Sequence, residues 1–177
     1  MNVATTDPVI RLRKANNEDS AVIWTILQQA IEQRRLDGST QWQDGYPNPA
    51  SIQADIDNGY GFVLVTGDDI VIAYAAVILN NEPAYEAIEG KWLTNDDFFV
   101  VHRVAVSNTM KGKGIATELF RLLEPFAIAQ NVFSIKVDTN FDNAPMLKIL
   151  DRLGYTYCGE VFFRGSARKA FEKVLGK

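Results

Sequence analysis

The 177-residue chain carries 22 acidic against 18 basic side chains, a net charge of −4, and 47% hydrophobic residues. That length suits one domain, residues 1–177, with a substantial core. The mild acidity, with no basic run, gives nucleic acid no footing and weakly suits a cationic small substrate.

Cys158 is the one cysteine, so no intrachain disulfide can form and a reducing, cytoplasmic setting is expected. His102 is the one histidine, which argues against a histidine-rich metal site; none is expected. The opening MNVATTDP has neither a basic region nor an apolar segment, and no apolar run approaches the roughly 18 residues of a membrane span. There is no internal repeat.

In chain order, Val9 to Arg13 alternates like a half-buried strand. Asn17 can cap a helix whose stripe is Val22, Ile23, Ile26, Leu27, Ala30 and Ile31, with Gly38 just past its end. The loop Gln41-Trp42-Gln43-Asp44-Gly45-Tyr46-Pro47 is dense in aromatic and amide groups. Trp42 and Tyr46 are candidates for a substrate wall, or for rings that pin the loop to the core. Asn48-Pro49 starts a short helix that Asn58-Gly59 ends. Tyr60–Thr66 and Ile70–Leu79 read as a hairpin around Gly67-Asp68-Asp69. The connection 80–95 carries Glu82, Glu86 and Glu89 and has room for one helical turn; connections of this length often border a site.

Phe98 to Val106 is almost wholly apolar, as a buried central strand is. It leads through Lys111-Gly112-Lys113-Gly114-Ile115-Ala116-Thr117 into a helix with Leu119, Leu122, Leu123 and Phe126 on one stripe. Glycines here clear the approach of a ligand and let consecutive N–H groups turn inward. The helix N-terminus adds unpaired donors and a positive dipole end. Such a loop suits a pyrophosphate, or it is an ordinary strand-to-helix connection. Pro125 is expected to kink that helix or loosen a turn. Ser134–Thr139 is a further strand. Asn143 caps a helix with Met146, Leu147, Leu150 and Leu153 inward, closed by Gly154. Tyr155–Phe162 and Ala167–Val174 form a last antiparallel pair.

No window supplies the Walker pattern. The dinucleotide fingerprint G-x-G-x-x-G is nearer, with Thr117 at its third glycine, but a doubly wound fold repeats β-α-β units and this order does not. Lys111 to Ala116 instead resembles the acetyl-CoA loop R/Q-x-x-G-x-G/A of the GNAT N-acetyltransferases. Arg103-Val104-Ala105-Val106 is similar to that family's strand before the loop. Asn143 with Leu150 and Gly154-Tyr155 is similar to its N-x6-[Y]-x3-G-[FY] pattern. The segments from Gln41-Trp42 to Tyr46-Pro47 and from Asp138-Thr139-Asn140 to Met146 look like a bacterial GNAT group of mostly unassigned substrate.

The resemblance implies an α/β (α+β) GNAT fold: a mixed, twisted sheet of six to seven strands flanked by about four helices, its fourth and fifth strands splayed. It implies acetyl transfer from acetyl-CoA, as co-substrate, to a primary amine of a small molecule. Attack would be direct, in a ternary complex. A protein N-terminal or lysine acetyltransferase and a non-catalytic CoA-binding regulator are the alternatives. The implied cofactor-binding residues are Val104, Ala105, Val106, Lys111, Gly112, Lys113, Gly114, Ile115, Ala116, Thr117, Asn143 and Met146.

The acceptor would meet Trp42, Tyr46 and Glu86. The base is open between His102, which strand parity puts with Val104 and Val106, and Glu82, Glu86, Glu89 or Asp44. Leu150 stands where the family usually has the tyrosine that protonates the leaving thiolate. Tyr157 is the candidate catalytic tyrosine, with Tyr155 on the same strand face. Cys158 reads as a small strand residue, not a nucleophile. C-terminal edge strands offer a surface for a homodimer.

Overall fold

A computed structural model describes residues 9–176. The leader reading of MNVATTDP therefore lies outside the described residues. One mixed sheet runs through the molecule. Its strands are β1 (Arg11–Lys14), β2 (Gly61–Val65), β3 (Val71–Leu79), β4 (Glu89–Gly90), β5 (Phe99–Val106), β6 (Ser134–Thr139), β7 (Thr156–Phe163) and β8 (Ser166–Val174). Their spatial order is β1-β2-β3-β5-β6-β8-β7-β4. The helices are α1 (Ser20–Leu36), α2 (Pro49–Asp57), α3 (Pro83–Glu86), α4 (Ile115–Ala129) and α5 (Ala144–Arg152). Sequence reasoning undercounted both sets. The unforeseen strand is β4, two residues long and too short to carry a period-2 signal, which pairs with β7 through Glu89↔Glu160 and Gly90↔Gly159.

Local chemistry explains most element boundaries. Asn16, one residue earlier than expected, accepts from Glu18 N at 2.9 Å, and Asp19 Oδ2 accepts from Asn16 N at 2.8 Å. This reciprocal cap opens a 3-10 turn that runs into α1. Asn48 and Ser51 form the same device before Pro49, the first residue of α2. The 42–47 loop includes a cis Tyr46-Pro47 peptide. Pro125 does not interrupt α4, which runs unbroken to Ala129. Leu119, Phe120, Leu123 and Ala127 are buried around it, so packing outweighs the lost backbone bond.

Alternation sends the sheet's side chains to two faces. Phe62, Leu64, Phe99 and Val101 pack with α4 and α5. Val63, Val65, Tyr74 and Ala105 pack with α1 and α2. Farther along that second face, Val100, Val161 and Ala170 pack with Tyr85 of α3. The segment after α3 is pinned by charge. Lys136 lies 4.5 Å from the Trp92 ring centroid and 3.9 Å from that of Phe98. Buried Glu172 accepts from Leu93 N and Thr94 Oγ1, both at 2.6 Å, and from Ser134 Oγ at 2.7 Å. This fixes the ground on which α3 stands.

Two features of β5 create the site. It pairs with β6 in parallel only through Phe99↔Ile135, Val100↔Lys136 and Val101↔Val137. Beyond that point the strands part, as the fourth and fifth strands of the expected fold do. On its other edge, Tyr74↔Ala105 and Ala76↔His102 leave Ala75 opposite both Arg103 and Val104, a β-bulge. Arg103 takes the extra position with φ of +53°. The bulge also resets side-chain parity. His102 faces α3 together with Val100, while Val104 and Val106 turn to the α4 face. The shared face expected for His102, Val104 and Val106 is therefore wrong, because strict alternation does not survive an inserted residue.

Candidate active site

The parting of β5 and β6 opens a cavity of about 1110 Å³ that spans the sheet. At one end stand Val104, Ala105, Val106, Asn108, Lys111, Gly112 and Ala116. The β6-facing backbone of 104–106 has no strand partner there. Gly112 and Gly114 adopt φ of +75° and +71°. A Cβ built on either would meet no protein atom within 4 Å. Glycine is required by the backbone conformation, and the space above it is open to a ligand.

Gly114 is also the N-cap of α4. No side chain caps it, and its carbonyl accepts from Glu118 N. The first-turn N–H groups are thus left without the usual side-chain acceptor, beside a nest of two left-handed glycines. Lys111 is tethered by its Nζ to Gln33 Oε1 of α1 at 2.9 Å. Lys113 is exposed, whereas the side chains of Ile115 and Thr117 are buried, so those two can offer only backbone groups. Across the cavity, Asn143 accepts from Met146 N at 3.4 Å, and Asn143, Met146 and Ile149 line the wall. Asn143 both caps α5 and faces the cavity. These groups suit a pyrophosphate with a thin, extended arm running along a strand edge.

At the other end the split exposes a cluster of titratable side chains. His102 Nε2 lies 2.7 Å from Glu82 Oε2, and its Nδ1 lies 3.6 Å from Asp138 Oδ1. Tyr85 donates to Asp138 Oδ1 at 2.6 Å, and Trp92 Nε1 holds the Tyr85 carbonyl at 2.9 Å. Burial pushes the Glu82 carboxyl up, but His102 and the Ala84 N–H outweigh it and hold the group below the usual range. Burial raises the Tyr85 phenol well above its ordinary value, and the Asp138 charge adds to this. That phenol is a donor, not a source of protons.

A third wall comes from Trp42, Tyr46, Arg103, Phe163 and Arg164. Arg103 holds Asp55 with two bonds and also donates to Tyr46 Oη. Asp55 takes a further hydrogen bond from Tyr74. Trp42 and Tyr46 do line the cavity, and Trp42 also packs against the α1–α2 core. Wall and pin are one arrangement, not alternatives.

Two predicted site residues fall elsewhere. Glu86 sits on the exposed side of α3, and Glu82, one helical turn earlier, reaches the cavity instead. Tyr157 is 54% exposed and meets Phe171 edge-to-face outside the cavity. Leu150 is fully buried in the α4–α5 core, and the cavity side of α5 is Met146 and Ile149. Tyr155 is buried with its hydroxyl unpartnered, and burial, then the Glu124 charge, raises its phenol.

The acetyltransferase (GNAT) family model matches residues 23–155, from within α1 past the glycine loop to just beyond α5. The chain belongs to the GNAT family. Acetyl-CoA is the acetyl donor of that family. A GNAT-family acetyltransferase from Streptococcus agalactiae is 35% identical, with a TM-score of 0.86 over 97% of this chain and all of that one. The fold is shared more distantly with yncA of Salmonella typhimurium, solved with its cofactor acetyl-CoA, at 18% identity and a TM-score of 0.65 over 96% and 95% of the two chains. A streptothricin acetyltransferase of Escherichia coli is 27% identical over 75 residues, 42% of this chain and 43% of that protein. The match thus spans less than half of that curated relative.

Within this GNAT chain, sequence reasoning missed Arg103, Asp138 and Arg168 as parts of the cavity wall. Asp138 closes the β6 half of the split, and its signal was one carboxylate late in an otherwise buried strand. Arg103 was read only as part of the strand before the loop, and Arg168 carried no motif.

Proposed function

We propose that this GNAT chain acetylates the primary amine of a small molecule, by direct attack within a ternary complex with acetyl-CoA. One arrangement carries the reading: the glycine loop and the Glu82–His102–Asp138 cluster lie at opposite ends of one cavity, joined by the unpaired edge of β5. Acetyl-CoA supplies a thioester carbonyl that the amine nitrogen attacks. The backbone amides at 112–116 bind the pyrophosphate, with Lys111 beside them. The backbone of Val104 to Val106 aligns the arm and polarises the carbonyl in a site shielded from water. Asn143 and Met146 close the opposite side.

The incoming amine must lose a proton, and Glu82 with His102 takes it. Glu82 is ionised across the neutral range, since its carboxyl is held below the ordinary value. His102 steadies that carboxylate and offers a relay. No side chain of α5 acts as an acid, because Leu150 is in the core. A thiolate of ordinary pKa, near 8.5, leaves without one.

The test is calorimetric titration with acetyl-CoA, with NADH as control, for the wild type and Gly114→Trp, followed by release of free thiol in the presence of an amine panel. Micromolar binding of acetyl-CoA alone, lost in the variant, and amine-dependent thiol release are expected. Preference for NADH would overturn the cofactor assignment, and binding without turnover of any amine would overturn the transfer reaction.

A further inference from the structure

Four arginines line the cavity, and three are matched by carboxylates. Arg34 pairs with Asp37 at 3.4 Å. Arg103 is held by Asp55. Arg164 meets Asp44 at 2.8 Å. Arg168, on β8, differs. Among the described residues its ion-pair contact is Asp138 Oδ2 at 3.9 Å, too long for a hydrogen bond, and its Nε is buried with no acceptor. Its guanidinium lies over the Phe163 ring, 5.7 Å from the centroid, with the side chain 21% exposed. A largely buried guanidinium whose Nε lacks an acceptor is costly unless a ligand meets it.

Its location identifies the ligand's other half. The two oxygens of the Asp138 carboxylate divide between Arg168 and His102: Oδ2 is 3.9 Å from Arg168 Nη1 and Oδ1 is 3.6 Å from His102 Nδ1. The guanidinium and the Glu82–His102 pair therefore flank one carboxylate. We infer that the acceptor is an amino acid, its carboxylate bound by Arg168 and its amine held at Glu82 and His102. A planar guanidinium suits a carboxylate through two parallel N–H donors. The Asp138 carboxylate then faces the acceptor's ammonium before the proton is lost, so one molecule answers both signs of charge in the wall. This deepens the proposed amine acetylation and rests on it.

The experiment compares matched pairs that differ only in the carboxylate, each amino acid with its decarboxylated amine: lysine and cadaverine, phenylalanine and phenethylamine, leucine and 3-methylbutylamine. Thiol release is followed for the full chain as wild type, Arg168→Met and Arg168→Lys, with acetyl-CoA binding measured alongside. For the wild type, kcat/KM favours at least one amino acid over its partner amine by about tenfold or more, as one charge-assisted hydrogen bond would give. Arg168→Met brings that ratio toward one while acetyl-CoA still binds, and Arg168→Lys keeps part of it. Turnover of the amines with equal or greater kcat/KM than every amino acid would overturn this inference and leave amine acetylation standing. Turnover of neither series would overturn both. If Arg168→Met does not fold, the wild-type ratio and the lysine variant decide alone.

Discussion

Arg103 closes its guanidinium on Asp55, with Nε to Oδ2 at 2.9 Å and Nη2 to Oδ1 at 2.5 Å, from the one residue of β5 held at positive φ. A non-glycine residue there costs about 1–3 kcal/mol, and such strain persists only where its surroundings hold it. The pair therefore braces the bulge that separates His102 from the Val104 face. Both side chains are largely buried, at 13% and 6% exposed.

Removing Asp55 leaves that guanidinium uncompensated, and Tyr74 loses its acceptor as well. Asp55→Ala is expected to lower stability by roughly 3–5 kcal/mol in urea unfolding. A loss under about 1 kcal/mol, the scale of an exposed pair, would show that the bulge stands without this brace.

Gly112→Ala separates binding from stability. The added Cβ meets no protein atom, so the fold should lose only about 1–2 kcal/mol from the left-handed backbone. Acetyl-CoA affinity should fall by roughly tenfold or more, because the methyl occupies the ligand's space and shifts the amide nest. An unchanged affinity would remove this loop from the phosphate site.

Glu82, which caps α3, and Glu86, which ends it, should behave oppositely. Glu82→Gln removes the proton acceptor and should cut kcat by roughly 10²–10⁴-fold. Glu86→Gln and Tyr157→Phe lie outside the cavity and should change turnover by no more than about twofold, as surface substitutions do. Cys158→Ala should likewise keep turnover, since direct attack needs no thiol nucleophile and burial raises this one above its ordinary value. Loss of activity in Cys158→Ala with the fold intact would point to a covalent intermediate.

Asp19 supplies a pH test. Arg13 donates to both its oxygens, at 2.8 and 2.9 Å, and holds its carboxyl below the usual range against the opposing effect of burial. A depressed folded value means the contribution is complete above the unfolded pKa of about 3.9 and is lost as pH falls through the folded one. Asp19→Asn should therefore be less stable than the wild type at neutral pH. Their difference in unfolding free energy should shrink once pH drops below about 4. A difference independent of pH would assign the loss to the cap geometry alone.

The sequence by itself determined the order of elements, the hairpin, the helix-starting Pro49 and the glycine loop before α4. These are local: capping side chains, period-2 and period-3.6 burial, and left-handed positions are set by neighbours a few residues apart. The family's motif also lies in one short stretch, so its cofactor end was legible. What the tertiary structure decided was the acceptor end. His102 with or against Val104 turns on a one-residue phase, and Glu82 or Glu86 on where α3 starts. The bulge at Arg103 and the start of α3 set that phase through partners 48 and 20 residues away in the chain, Asp55 for Arg103 and Glu82 for His102. Charges such as Asp138 and Arg168 leave no periodic trace, because their meaning comes from which strands part.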